Sequence, residues 1–96
     1  MKITVKFIGV HRSIVGKNLI DVYVADGGRI FDLIRLVSDQ VGKQEFSKIL
    51  IDPELQDPRP NNILLLNGRE INSLKGLETE LHNGDEVVMI PLVHGG

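Results

Sequence analysis

The sequence predicts an α+β domain in which a mixed sheet packs on one main helix, and three observations carry that prediction. Residues 2–7 alternate apolar and polar side chains in the period-2 manner of a half-buried strand. From Ile30 the apolar period lengthens to that of a helix, with Ile30, Leu33, Ile34, Val37 and Val41 at i, i+3, i+4, i+7 and i+11. Two short apolar runs, residues 63–66 and 87–90, then stand beside the turn signals Asn67-Gly68 and Asn83-Gly84-Asp85. A helix with one strongly apolar stripe needs a sheet face to cover it. Ninety-six residues suffice for one such domain and not for two, and 42% apolar with 25% charged residues is the composition of a folded chain.

In the first strand Ile3, Val5 and Phe7 alternate with Lys2, Thr4 and Lys6. A polar stretch with Gly9, His11, Arg12 and Gly16 follows, and residues 19–24 then place Ile20, Val22 and Val24 at strand spacing with β-branched enrichment. These first two strands are expected to form a hairpin. Gly27 and Gly28 break the second strand, and the helix spans about residues 29–41, with Gly42 where a left-handed C-terminal cap falls. Arg29 stands where Ser or Thr usually caps a helix, which weakens the N-cap.

Between residues 43 and 61, Pro53, Pro58 and Pro60 lie among Asp52, Glu54, Asp57 and Arg59. Most of this segment is barred from a ladder or helix interior, so it reads as a long surface connection with one short helical turn at 44–49. Residues 63–66 make a short strand ending in Asn67-Gly68, a pair suited to the positive φ angles of a tight turn. Leu74 and Leu77 anchor a loop or short helix, and residues 86–90 make the last strand. The β-grasp arrangement satisfies this order, with the domain at 1–91 and a flexible tail at 92–96. Because side chains alternate along a strand, Val87 and Met89 are assigned with Leu64 and Leu66 to the helix side. Leu65, Val88 and Ile90 then fall on the opposite face beside the root of the tail, as an expected partner-binding patch.

The chain has no cysteine, which excludes a disulfide framework, a thiolate zinc site and a cysteine nucleophile. Ser13, Ser38, Ser47 and Ser73 offer no nucleophile–base pair, and His11, His82 and His94 lack metal-ligand spacing. All three histidines are expected to be solvated. Gly27-Gly28 precedes a helix but lacks a phosphate-binding spacing. A net charge of -2 gives no electrostatic footprint for nucleic acid, so direct RNA or DNA binding is not expected. No apolar run approaches the roughly 20 residues that cross a bilayer, and the alternating start is unlike a signal peptide. The expectation is a soluble cytoplasmic protein with no bound cofactor or metal.

Gly95-Gly96 is the exception to this plainness. With glycine usage near 7%, a double glycine at a fixed end arises by chance about once in 200 chains. Two residues without Cβ make a thread that enters a narrow site where a bulkier chain would clash. Leu81-His82-Asn83-Gly84-Asp85-Glu86-Val87-Val88, then Pro91 and Gly95-Gly96, resembles the end of the molybdopterin synthase small subunit and related bacterial sulfur carriers. The ending Leu92-Val93-His94-Gly95-Gly96 is similar to that of the ubiquitin-related modifier, and Ile3, Val5 and Phe7 followed by Val15-Gly16 is similar to both families. The connection at 43–61 and His94 favour the ubiquitin-related side, and Pro91 the molybdopterin side.

The resemblance implies a ubiquitin-like protein that is a substrate and not a catalyst. An activating enzyme of the ubiquitin E1 type would adenylate the Gly96 carboxylate with ATP, and a sulfurtransferase would convert it to a thiocarboxylate. Sulfur would then pass to tRNA or a cofactor precursor, or the end would be conjugated to lysines of acceptor proteins. The alternatives are a dedicated subunit bound to a large synthase subunit, and an interaction module whose end is never activated. Contacts to partners are expected from Leu92, Val93 and His94. Residues 70–96 carry Glu70, Glu78, Glu80, Asp85 and Glu86 against Lys75 alone, while residues 1–69 hold ten positive and eight negative groups. The tail end is therefore expected to be acidic, with Asp85 and Glu86 meeting a basic surface of the activating enzyme.

Overall fold

The structure, a computed structural model, describes residues 1–92. Its elements run β1 (Lys2–Phe7), α1 (Val10–Val15), β2 (Leu19–Tyr23), α2 (Ile30–Val41), α3 (Gln44–Leu50), β3 (Asn62–Leu66), β4 (Arg69–Glu70), 3-10 turns at Ile71–Ser73 and Gly76–Glu78, and β5 (Glu86–Pro91). The strands form one sheet in the order β2-β1-β5-β3-β4. β1 and β5 are parallel, and every other pair is antiparallel. This is the expected mixed sheet on one main helix. No helix among the described residues is long and apolar enough to cross a membrane.

The core follows from the two periodicities. α2 buries Ile30, Leu33, Ile34 and Val37, the stripe read from the sequence, against Ile3, Val5 and Phe7 of β1 and Val87 and Met89 of β5. Leu64 and Leu66 of β3 join them, while Leu65, Val88 and Ile90 are only half-buried. The strand register is therefore the one the alternation predicts. α3 realises the short helical turn expected in the proline-bearing connection, and it packs Phe46 and Leu50 on the α2 side of the sheet.

Two local features explain how the chain enters α2. Val24 approaches so closely that a Cβ on Gly28 would lie 2.3 Å from its Cγ1, so only glycine fits. Arg29 is the N-cap and its side chain accepts no bond, as expected, but the Asp32 carboxylate accepts from the Arg29 backbone N–H at 2.9 Å. That is the reciprocal half of a capping box, supplied from the third helical position. At the other turn Asn67 and Gly68 both take positive φ, 49° and 83°, the geometry that joins β3 to β4 tightly.

The segment between the first two strands is not a loop. β1 and β2 do pair antiparallel, but the chain between them folds into α1, which starts after Gly9 and ends on a left-handed Gly16. The expectation that His11 is solvated fails: it is fully buried. Its ring meets Phe46 edge-on with centroids 5.2 Å apart, and Phe46 in turn meets Phe7 at 5.5 Å. A helix laid over the open end of the core needs an inward side chain at this position, and the imidazole fills it. His82, by contrast, is exposed.

Candidate functional site

β5 is the element that carries the chain towards its C-terminal residues, and it is held on both flanks. β1 pairs with it from Thr4↔Glu86 to Phe7↔Met89, and β3 from Leu66↔Val87 to Asn62↔Pro91. The ladder runs one residue further, because the Leu92 N–H donates to the Asn61 carbonyl at 2.8 Å. Leu92, placed by the sequence at the start of the tail, is thus tied by its backbone to the residue before β3, with its side chain 43% exposed. Val93, His94, Gly95 and Gly96 lie outside the described residues.

Asn62 builds the seat beneath this point. Its side-chain amide donates to the carbonyls of Ile49 at 3.1 Å, Leu50 at 2.9 Å and Pro58 at 2.9 Å. With the amide hydrogens spent there, its Oδ1 faces His11 Nε2 at 2.5 Å. Nε2 must therefore carry the proton and donate, which leaves Nδ1 unprotonated. Nδ1 is buried without a hydrogen-bond partner among the described residues. Burial pushes the His11 pKa below its ordinary value, and the Asn62 contact offsets this in part. One buried polar side chain thus ties together α1, α3, the loop before Asn61 and the strand opposite Pro91. Asn62 was missed in the sequence because Asn61-Asn62 before an apolar run looks like a turn, not a buried hub.

The predicted patch is assembled. Leu65 lies opposite Val88 and Ile63 opposite Ile90 on the sheet face away from α2. Lys6 flanks Val88 on its other side and pairs with Glu86 at 3.2 Å. α3 and the following loop do not cover this face, since they pack on the α2 side.

The acidic residues are placed differently from expectation. Asp85 and Glu86 stand at the start of β5, and a strand of six residues separates them from Leu92 by about 20 Å. The Asp85 carboxylate accepts from the His82 backbone N–H at 2.7 Å and from Asn67 Nδ2 at 2.9 Å, so it closes the turns at that end. Glu70 pairs beside Leu65, and Glu80 bridges to Arg29 at the start of α2. The carboxylates that are close to the tail in sequence gather at the opposite end of the sheet in space. The acidic tail end is corrected accordingly.

With this geometry in place, comparison with known proteins identifies the chain's relatives. A protein of Archaeoglobus fulgidus described as a candidate sulfur carrier is 45% identical over 65 residues, 67% of this chain and 69% of that protein. Small archaeal modifier protein 3 of Haloferax volcanii is 30% identical over 96 residues, the full length of both chains. The solution structure of the Haloferax volcanii HVO 2177 protein superposes with a TM-score of 0.81 at 30% identity, covering 100% of this chain and 87% of that one. The ThiS family model matches residues 5–96, so the chain belongs to the ThiS family, a β-grasp family of ubiquitin-like sulfur carriers and small modifiers.

Proposed function

We propose that this chain carries sulfur on its own C-terminal carboxylate. The Gly96 carboxylate attacks the α-phosphorus of ATP on an E1-like enzyme, expelling pyrophosphate and leaving an acyl-adenylate. The persulfide of a sulfurtransferase then attacks the acyl carbon and expels AMP to give an acyl disulfide, and a second thiol of the transferase cleaves that S–S bond, forming the enzyme's own disulfide and releasing the thiocarboxylate. A carboxylate is a poor electrophile until its oxygen belongs to a good leaving group, which is what the adenylate supplies. ATP is a substrate of the enzyme and not a cofactor of this chain. The thiocarboxylate delivers sulfur to tRNA or to a cofactor precursor, and the same activated end is open to attack by a lysine amine.

The observation that supports this reading is the anchoring of β5. Hydrogen bonding on both flanks holds the chain in place up to Leu92, four residues short of Gly96, so an enzyme that grips the folded body meets Leu92 at a fixed position. The absence of cysteine leaves the carboxylate as the place where the chain can hold sulfur covalently. Incubation with an activating enzyme, ATP and a sulfur donor should raise the intact mass by about 16 Da, the oxygen-to-sulfur difference. No mass gain, or a gain that survives deletion of Gly96, overturns the reading. Covalent adducts on lysines of other proteins identify conjugation, whereas a stable pterin-bearing heteromer identifies a dedicated synthase subunit.

A further inference from the structure

The end of the sheet where β5 finishes carries a surface unlike the one the sequence suggested. A groove of about 360 Å³ is lined by Val10, Lys48, Ile49, Asn61, Pro91 and Leu92. Val10 and Leu92 are exposed apolar side chains, and Ile8, exposed at 43%, lies just before α1 at the same sheet end. The cations of this end are Arg12 on α1, Lys17 in the turn into β2, and Lys48 on α3, all exposed. None of the three forms an ion pair among the described residues. Lys43, just before α3, is turned to the Ile14 carbonyl at 2.8 Å, and Glu45 is the one carboxylate on α1 and α3.

Elsewhere Lys2, Lys6, Arg29 and Arg59 each sit against a carboxylate, and the cations there without an ion pair among the described residues, Arg35, Arg69 and Lys75, lie on separate elements and do not line this groove. Uncompensated charges around an apolar cleft raise the rate of encounter with a surface of opposite sign, and they do so most at low salt. The cleft lies at the point where the chain leaves its ladder towards residues 93–96, so a protein that receives those residues passes over it.

We propose that the α1–α3 corner is the docking surface for the activating enzyme, and that the matching surface on that enzyme is acidic, with an apolar side chain that enters the groove between Val10 and Leu92. This rests on the proposed activation of the Gly96 carboxylate and names the surface that brings the two proteins together. It reverses the polarity read from the sequence, in which Asp85 and Glu86 met a basic enzyme. Those residues are engaged at the far end of β5.

The test is ATP–pyrophosphate exchange by the activating enzyme, with the full chain as the varied substrate at low and high salt. The Arg12→Glu/Lys48→Glu double variant should raise KM about tenfold at low salt, leave kcat within about twofold, and flatten the salt dependence. Lys2→Glu/Arg69→Glu changes net charge equally at the other end of the sheet and should leave KM unchanged. Thermal melting of both variants checks that they remain folded. If the wild type is not adenylated at all, the proposed function fails and this surface fails with it. If the wild type is adenylated and the corner variant keeps its KM, or both double variants weaken equally, the docking proposal alone is overturned. A wild-type chain that binds a short RNA through Arg12 and Lys48, with enzyme kinetics indifferent to the charge reversal, also overturns it and makes the corner a nucleic-acid site.

Discussion

His11 of α1 and Asn62 of β3, 51 residues apart in the chain, face each other in the interior through a single contact between Nε2 and Oδ1. Because Asn62 also gathers three backbone carbonyls, the pair closes a polar network inside an otherwise apolar core. Such a network is worth more than its parts, and removing one member strands the others. Asn62→Ala should therefore destabilise the fold by about 3 kcal/mol or more. Asn61→Ala, which keeps the backbone carbonyl that Leu92 uses, should cost less than about 0.5 kcal/mol. Urea unfolding of the two variants separates these expectations.

The same pair makes stability pH-dependent. The ordinary histidine value is 6.5, and burial holds His11 below it in the folded state. As pH falls below about 6.5 the unfolded chain takes up a proton that the folded chain refuses, so the unfolded state binds more protons and stability declines. Above that pH the histidine contribution is fully present. Chemical unfolding of the wild type between pH 7.5 and 5.5 should show the loss, and His11→Gln, whose amide can still donate to Asn62, should remove the part of the slope due to His11.

Phe46 touches both Phe7 and His11 and is fully buried. Truncation at this position opens a cavity between α3 and the sheet that neither ring can fill by rotation. Phe46→Ala should cost about 3–5 kcal/mol, visible as a large drop in melting temperature.

The outer face of the sheet behaves differently from the inner one. Leu65→Asp and Ile90→Asp act on half-buried side chains and should lower the melting temperature by about 5 °C or less. Leu64→Asp places a charge in the core and should prevent folding. Loss of affinity for the sulfurtransferase in Leu65→Asp and Ile90→Asp, with the chain still folded, marks the patch as a partner-binding surface separate from the α1–α3 corner. A large drop in melting for these two variants would show that they are core.

Helix capping gives a finer check. Asp32→Ala removes the carboxylate that satisfies the Arg29 N–H and should cost about 1 kcal/mol. Asp39→Ala, near the other end of α2, removes a negative charge from the negative pole of the helix and should be neutral or slightly stabilising. Guanidinium titrations of both proteins measure the difference.

The strands other than the two-residue β4, together with α2 and the two faces of the sheet, were legible: β1 by its period of 2, α2 by the period of 3.6 along Ile30 to Val41, and β3 and β5 as short apolar runs beside turn signals. α1 was not, because six residues are too few to show a period and His11 and Arg12 count as polar. The glycines at 9 and 16, which bracket it, were the available signal. The seat of Leu92 was illegible for a related reason, since Asn62 is buried only because three carbonyls from elsewhere converge on it. The charge reading failed because it treated distance along the chain as distance in space. β5 is a rod, and residues at its two ends belong to different surfaces.

The parallel pairing of β1 with β5 has a kinetic consequence. Thr4 and Glu86 are neighbours in the centre of the sheet, so the central contact closes a loop of more than eighty residues. Loop closure of that length sets the folding rate through contact order more than through stability. Until residues 86–91 join the ladder, β1 and β3 have no common partner and present unpaired edges to one another. A chain cut before Glu86 should remain open and prone to self-association. β5 is the last strand of the described residues and also the one whose arrival joins β1 to β3, so the sheet is complete only when the chain has been made and paired to Pro91.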